Sequence, residues 1–265
     1  MPSIVSVTSA QLAAWTVAFL WPFIRILALV STAPVLGDPI VPRRIKVALA
    51  ALLALLMAPT IGPAAAVPVV SAGGVWITAQ QVLIGVSMGF GMRLVFAAVQ
   101  AAGEYIGLQM GLSFASFFDP SSGSSTVVVS RLLYMLSVLI FLGTDGHLLM
   151  IAVLAQSFES VPIADIGLAA GGWMLLVRSG GEIFVSGLML ALPLVTALLI
   201  LNLAMGILNR ASPQFSIFAV GFPLTLLSGI AMLYLLIPHL AAYLDPRFAA
   251  ALNSASQIAR ALRPI

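Results

Sequence analysis

Gly103–Thr126, GEYIGLQMGLSFASFFDPSSGSST, interrupts a chain that is otherwise built of long apolar runs. It opens with a glycine every fourth position, passes through Met and Phe, and ends in Asp119-Pro120 and a small-residue loop. In a bilayer, irregular backbone is tolerated only where protein or water covers it, because lipid offers no hydrogen bonds. The interruption therefore marks the place to look for function, and the runs on either side decide the fold.

Those runs dominate the composition. The 265 residues are 62% hydrophobic and 7% charged, with a mean hydropathy of +1.17, far from ordinary soluble usage. A span needs about 20 apolar residues. Leu12–Leu36, Val47–Ile61, Val75–Val99, Val127–Leu142, Ile183–Leu208 and Phe215–Ile237 predict about six helical spans, with a further helical piece near 148–158. The predicted fold is all-α, a polytopic membrane protein of about six long, partly broken helices packed as hairpins. No strand alternation suggests a barrel, and no internal repeat stands out. The N-terminus lacks the basic region of a cleaved signal peptide, so the first run is expected to be retained.

Net charge is +3, but the 11 basic residues form no stripe, so nucleic acid is not an expected partner. They read better as topology signals. Arg43, Arg44 and Lys46 predict a cytoplasmic first loop, the uncharged 59–74 an external one, and Arg210 a cytoplasmic turn at Asn209–Gln214. Continued alternation puts the tail outside despite Arg247, Arg260 and Arg263, so simple alternating spans conflict with the charge rule. In that tail Phe248, Leu252, Ala255, Ile258 or Ala259, and Leu262 recur at helical spacing. The pattern predicts an amphipathic helix lying on the membrane surface or on a partner.

Charges inside apolar runs are the next signal. An Arg at mid-membrane costs about 2.5–3.5 kcal/mol on insertion scales. Arg25 and Arg93 sit near the centres of their runs, and Glu104 beside one. The two arginines should meet carboxylates, backbone carbonyls or water, with Glu104 and Asp119 as candidate partners. Arg131, Asp145, His147 and Glu182 lie nearer run ends, where side chains reach the interface. Gly85 and Gly89, and Gly103, Gly107 and Gly111, repeat every four residues, the spacing that lets helix backbones approach closely. Asp145-Gly146-His147 reads as a turn. With no cysteine, no HExxH and no GxSxG elbow, neither a metal site, nor nucleophilic catalysis, nor a cofactor is supported. The chain is not expected to be an enzyme.

The combination of Glu104-x-x-Gly107-x-x-x-Gly111-Leu112-Ser113-Phe114, Asp119-Pro120, Phe141 with Asp145-Gly146-His147, and Ser157-Phe158 resembles the FliR family. Leu192-Pro193, Asn202, Asn209 to Gln214, Gly221-Phe222-Pro223 and the early Pro34-Val35-Leu36-Gly37 extend the resemblance from about Arg25 to about Gly229. Each motif alone is weak; their order along the chain makes the set specific. The family comprises inner-membrane proteins of the flagellar type III export apparatus, related to the SctT proteins of virulence injectisomes.

The resemblance implies a place in the bacterial inner membrane and the flagellar basal body. It implies a helical export gate assembled with FliP and FliQ, raised largely out of the bilayer plane, through which unfolded flagellar proteins pass. The family looks like a FliP-like portion, here about 1–180, joined to a FliQ-like hairpin, about 181–245, followed by the tail 246–265. By the same likeness, residues 106–122 would be a plug loop in the pore. Met110, Phe114, Phe117 and Phe118 would be its stopper, and Asp119, Pro120, Ser121 and Gly123 its hinge. Bulky apolar groups can exclude water and gate by dewetting; packing in a buried interface is the plainer role for the same residues. The Asn209, Arg210, Pro213, Gln214 turn would meet the loop of FlhB, or be only a hairpin turn. Two other functions stay open: a self-contained secondary transporter using Arg25, Arg93, Glu104 and Asp119, and the injectisome counterpart.

Overall fold

The structure is a computed structural model that describes residues 8–62, 67–112, 128–164, 167, 169, 171–211 and 221–262. The described residues form seven helices: α1 Ser9–Thr32, α2 Arg43–Met57, α3 Ala72–Gln109, α4 Val128–Gly143, α5 Gly146–Ser160, α6 Gly171–Ala211 and α7 Phe222–Ala261. No strand occurs among them. The all-α, polytopic membrane class expected from the apolar runs is what is found.

The number of spans is not. α1 over Ala14–Thr32, α3, α6 and α7 are each long and apolar enough to cross a membrane, and α4 with α5 could supply one broken span. Among the described residues there are thus four or five candidate crossings against the six expected, because α2, at 15 residues, rises only about 22 Å at 1.5 Å per residue.

Local chemistry places the helix ends. Thr8 caps α1: its Oγ1 accepts from the Gln11 amide at 3.3 Å, while its own amide donates to Gln11 Oε1 at 3.0 Å, a reciprocal capping box. α3 runs well past Val99 and stops at Gly111, whose φ of 79° is open to glycine without steric cost. There the Leu112 amide donates to Gly107 O at 3.0 Å and the Gly111 amide to Leu108 O at 3.1 Å, the Schellman pattern of bonds. Gly111 therefore terminates α3, a different job from the packing role its spacing suggested. α4 ends in the expected turn, with Asp145 at φ 56°.

The chain divides into two compact units of interleaved sequence. Unit 1 holds Met1–Arg93, His147–Ser179 and Ala250–Ile265, and unit 2 holds Leu94–Gly146 and Gly180–Ala249. In unit 1, α2 lies against α1 through buried Ala50 and Ala54. The α1–α3 crossing is closer still. A Cβ at Gly85 would run into the Arg25 carbonyl oxygen, 2.7 Å from Ala28 Cβ and 3.0 Å from Leu29 N. One at Gly89 would run into Thr32 Oγ1, 2.9 Å from Leu29 O. Gly85→Ala should therefore lower stability by about 1–3 kcal/mol, since backbone, not a flexible side chain, blocks the way. Gly91→Ala, on the same helix with nothing within 4 Å of the new methyl, should leave it unchanged or slightly raised. Thermal unfolding of the two variants in detergent checks this; equal midpoints would contradict it.

The tail stripe lies inward rather than on a membrane surface. Leu252, Ala255, Ile258, Ala259 and Leu262 are all buried, and within unit 1 the Ala169 amide donates to Leu262 O at 3.2 Å. The side chain of Leu262 fills the space over Gly172, where a Cβ would come within 2.6 Å of its Cγ. In unit 2, Phe96, Phe141 and Phe248 form a buried aromatic triangle with ring centroids 5.2–5.5 Å apart, an ordinary aromatic packing range.

Candidate functional site

Two constellations collect the polar groups and close contacts that the sequence singles out. The first surrounds Arg25, which has no solvent exposure. Its Nε donates to Gln81 Oε1 at 2.7 Å, Nη1 to Ser157 O at 2.9 Å and to Ser157 Oγ at 3.2 Å, and Nη2 to Val161 O at 2.9 Å. The guanidinium carbon lies 4.3 Å from the centroid of the Phe158 ring. Among the described residues no carboxylate pairs with it. The charge is met instead by two carbonyls at the C-terminal end of α5, where unpaired carbonyls and the helix dipole favour a cation. One planar group thus ties α1, α3 and α5 together inside unit 1, which a rigid fork of donors can do and a point charge cannot.

Gln81 and the Ser157 and Val161 carbonyls are the partners that sequence reasoning did not name. Gln80-Gln81 in an apolar run was the available signal. The carbonyls had none, because every residue carries one.

The second constellation is the end of α3 in unit 2, where the interrupting stretch begins. Gly103 crosses α4 so closely that a Cβ would strike Ser130 Cα and lie 2.7 Å from Ser130 N, and Ser130 Oγ donates to Gln100 O at 2.9 Å. On α6, a Cβ at Gly187 would come within 2.8 Å of Ala98 O, and Asn202 Nδ2 lies 3.4 Å from both Gln109 O and Gln109 Oε1. On α7, Thr225 Oγ1 reaches Met110 O at 3.5 Å, and a Cβ at Gly229 would fall 2.5–2.7 Å from the Met110 side chain. Met110 is 1% exposed. Three helices thus hold α3 where the chain leaves it, and Met110 is the foot of the segment beyond.

The remaining site residues divide as follows. Gly107 is buried on α3. Arg93 and Glu104 are exposed, and so is Arg210, while Asn209 is half-buried. Phe114, Phe117, Phe118, Asp119, Pro120, Ser121, Gly123, Pro213 and Gln214 lie outside the described residues.

Long apolar helices, crossing at glycines and tied by buried polar groups, define a polytopic helical membrane protein. Residues 16–251 match the family described as bacterial export proteins, family 1, and the chain belongs to that family. Its relatives carry the name expected from the motifs. The flagellar biosynthetic protein FliR of Pectobacterium carotovorum subsp. carotovorum is 51% identical over 88% of this chain and 89% of its own length. The FliR of Escherichia coli (strain K12) is 47% identical over 95% of this chain and 96% of its own. The FliR of Bacillus subtilis (strain 168) is 29% identical over 82% and 84%.

Proposed function

We propose that the chain is a non-enzymatic structural and gating subunit of the flagellar protein export apparatus in the bacterial inner membrane. The observation that carries this is the family match across residues 16–251, with FliR relatives aligned over nearly the full length of both proteins. The apparatus is a complex, and this subunit's partners are FliP and FliQ, with FlhB at the Asn209–Gln214 turn. Lipid surrounds what they leave uncovered. The cargo is unfolded flagellar protein.

The surfaces suit assembly. Only 28% of the most apolar window of α6 and 22% of that of α7 is buried within the chain, leaving Phe184, Leu188, Ile200 and Leu203 exposed among many others. Anchored at Met110, the segment that follows α3 closes the pore: Phe114, Phe117 and Phe118 exclude water, and Asp119 to Gly123 let them move aside. A solute transporter built on Arg25 is disfavoured, since its guanidinium donors are already engaged by Gln81, Ser157 and Val161. The flagellar assignment is preferred to the injectisome because the relatives described above are flagellar.

Purification is the test. Expressed with FliP and FliQ, the chain should be recovered in one detergent-stable complex with both. An isolated monomer that ignores both partners and binds a small solute would overturn the proposal.

A further inference from the structure

Within unit 2, α3 and α4 run antiparallel: Gly103 packs on Ser130, and further back along α3 Phe96 meets Tyr134 with centroids 6.0 Å apart. Each residue step turns a helix by about 100°, in opposite senses for an antiparallel pair viewed end-on. The residues just after the contact pair, Glu104 and Arg131, therefore turn to the same flank. Both are exposed, and neither has a hydrogen-bond or ion-pair partner among the described residues. One turn further along, Leu108 is 57% and Met135 61% exposed, and Val128 and Leu132 are exposed beside them. The flank is an apolar face with one acid and one base at its centre.

Lipid does not cover such a face well. Acyl chains offer nothing to an unpaired carboxylate, and Glu104 is too short to carry its charge past the apolar turn that follows it. We propose that this α3–α4 flank seats an apolar helix of another subunit of the export complex, one that carries a basic and an acidic side chain facing Glu104 and Arg131. The proposal rests on the chain's being an export-complex subunit. Complementary charge sets the register of the incoming helix, and like charge excludes it; Leu108 and Met135 supply apolar contact on either side.

The test uses the full chain in a strain whose flagellar export it restores, so that failure of the functional assignment is seen separately, as no export by the wild-type chain. A photoreactive residue replacing Leu108 or Met135 in the otherwise unaltered chain should cross-link to a helix of another complex subunit, at a peptide with acidic and basic residues within one turn. Glu104→Arg and Arg131→Glu should each lower recovery of the chain with the complex at least about tenfold. Reversing the opposed charge on the cross-linked helix should restore it. Adducts with lipid alone, cross-links confined to the chain itself, or undiminished recovery of both reversals would overturn the proposal. If the reversals fail to accumulate in the membrane, the cross-links of the unreversed chain decide.

Discussion

Arg25→Met is expected to lower the thermal midpoint of the purified protein by about 10 °C and to deplete it from the membrane. The side chain it removes donates to Gln81 Oε1, Ser157 O and Val161 O in a site without solvent. Ser157 O keeps the Val161 amide at 2.9 Å, so two acceptors are orphaned. Each orphan costs about 1–3 kcal/mol, and the sum is a large share of the 5–15 kcal/mol that typically separates folded from unfolded domains. At roughly 2–4 °C per kcal/mol for a chain of this size, the shift is measurable in detergent.

Two companions separate hydrogen bonding from charge. Arg25→Lys keeps the cation but has no fork to span the acceptors on α3 and at the C-terminal end of α5, so its midpoint should lie between those of wild type and Arg25→Met. Adding Gln81→Leu to Arg25→Met removes one orphan and should recover part of the loss. Replacing every partner of a buried charge with apolar groups can be neutral, whereas removing one partner is costly. If Arg25→Met alone unfolded with the wild-type midpoint, the network would not be holding α1, α3 and α5 together.

Much of this architecture was legible in the chain because bilayer helices declare themselves by length and hydropathy. The errors have specific causes. The apolar run predicts an end to α7 at Ile237, but the helix continues through Pro238 and Pro246 to Ala261; a proline removes one backbone bond, and the neighbouring turns keep theirs. The apolar run predicts a span only to Val99, and the Ala- and Gly-rich 100–109 continues the same helix until Gly111 turns left-handed. The run Val47–Ile61 is shorter than the others and reads as a crossing on its apolar character alone, whereas α2 has only 15 residues.

The sites were legible to different depths. Gly85, Gly89 and Gly103 could be picked out because a missing Cβ at four-residue spacing leaves a mark in sequence. That Arg25 needed partners followed from its position in an apolar run. Which partners did not, since two of them are backbone carbonyls more than 130 residues away. The periodicity of Phe248 to Leu262 was visible, but a period cannot say whether an apolar face meets lipid, another subunit or the chain itself. Exposed Glu104 and Arg131 pose the complementary problem: their neighbours in sequence are apolar, and only the α3–α4 crossing brings them to one flank.

The central claim is that the chain helps form and close a protein-export pore, with the stretch after Met110 as the closure. Deleting Gly111–Phe118 removes the left-handed end of α3 and the first apolar bulk beyond it, and leaves Met110 over Gly229. A constriction that gates by dewetting stays shut only while apolar groups narrow it; without them water and ions can fill the path. The deciding measurement is ion conductance across membranes holding equal amounts of the assembled wild-type and deleted complexes. The expected result is a closed wild-type gate and a steady conductance at least about tenfold higher for the deletion. Equal, low conductance from a deleted complex that still contains all its subunits would contradict the claim.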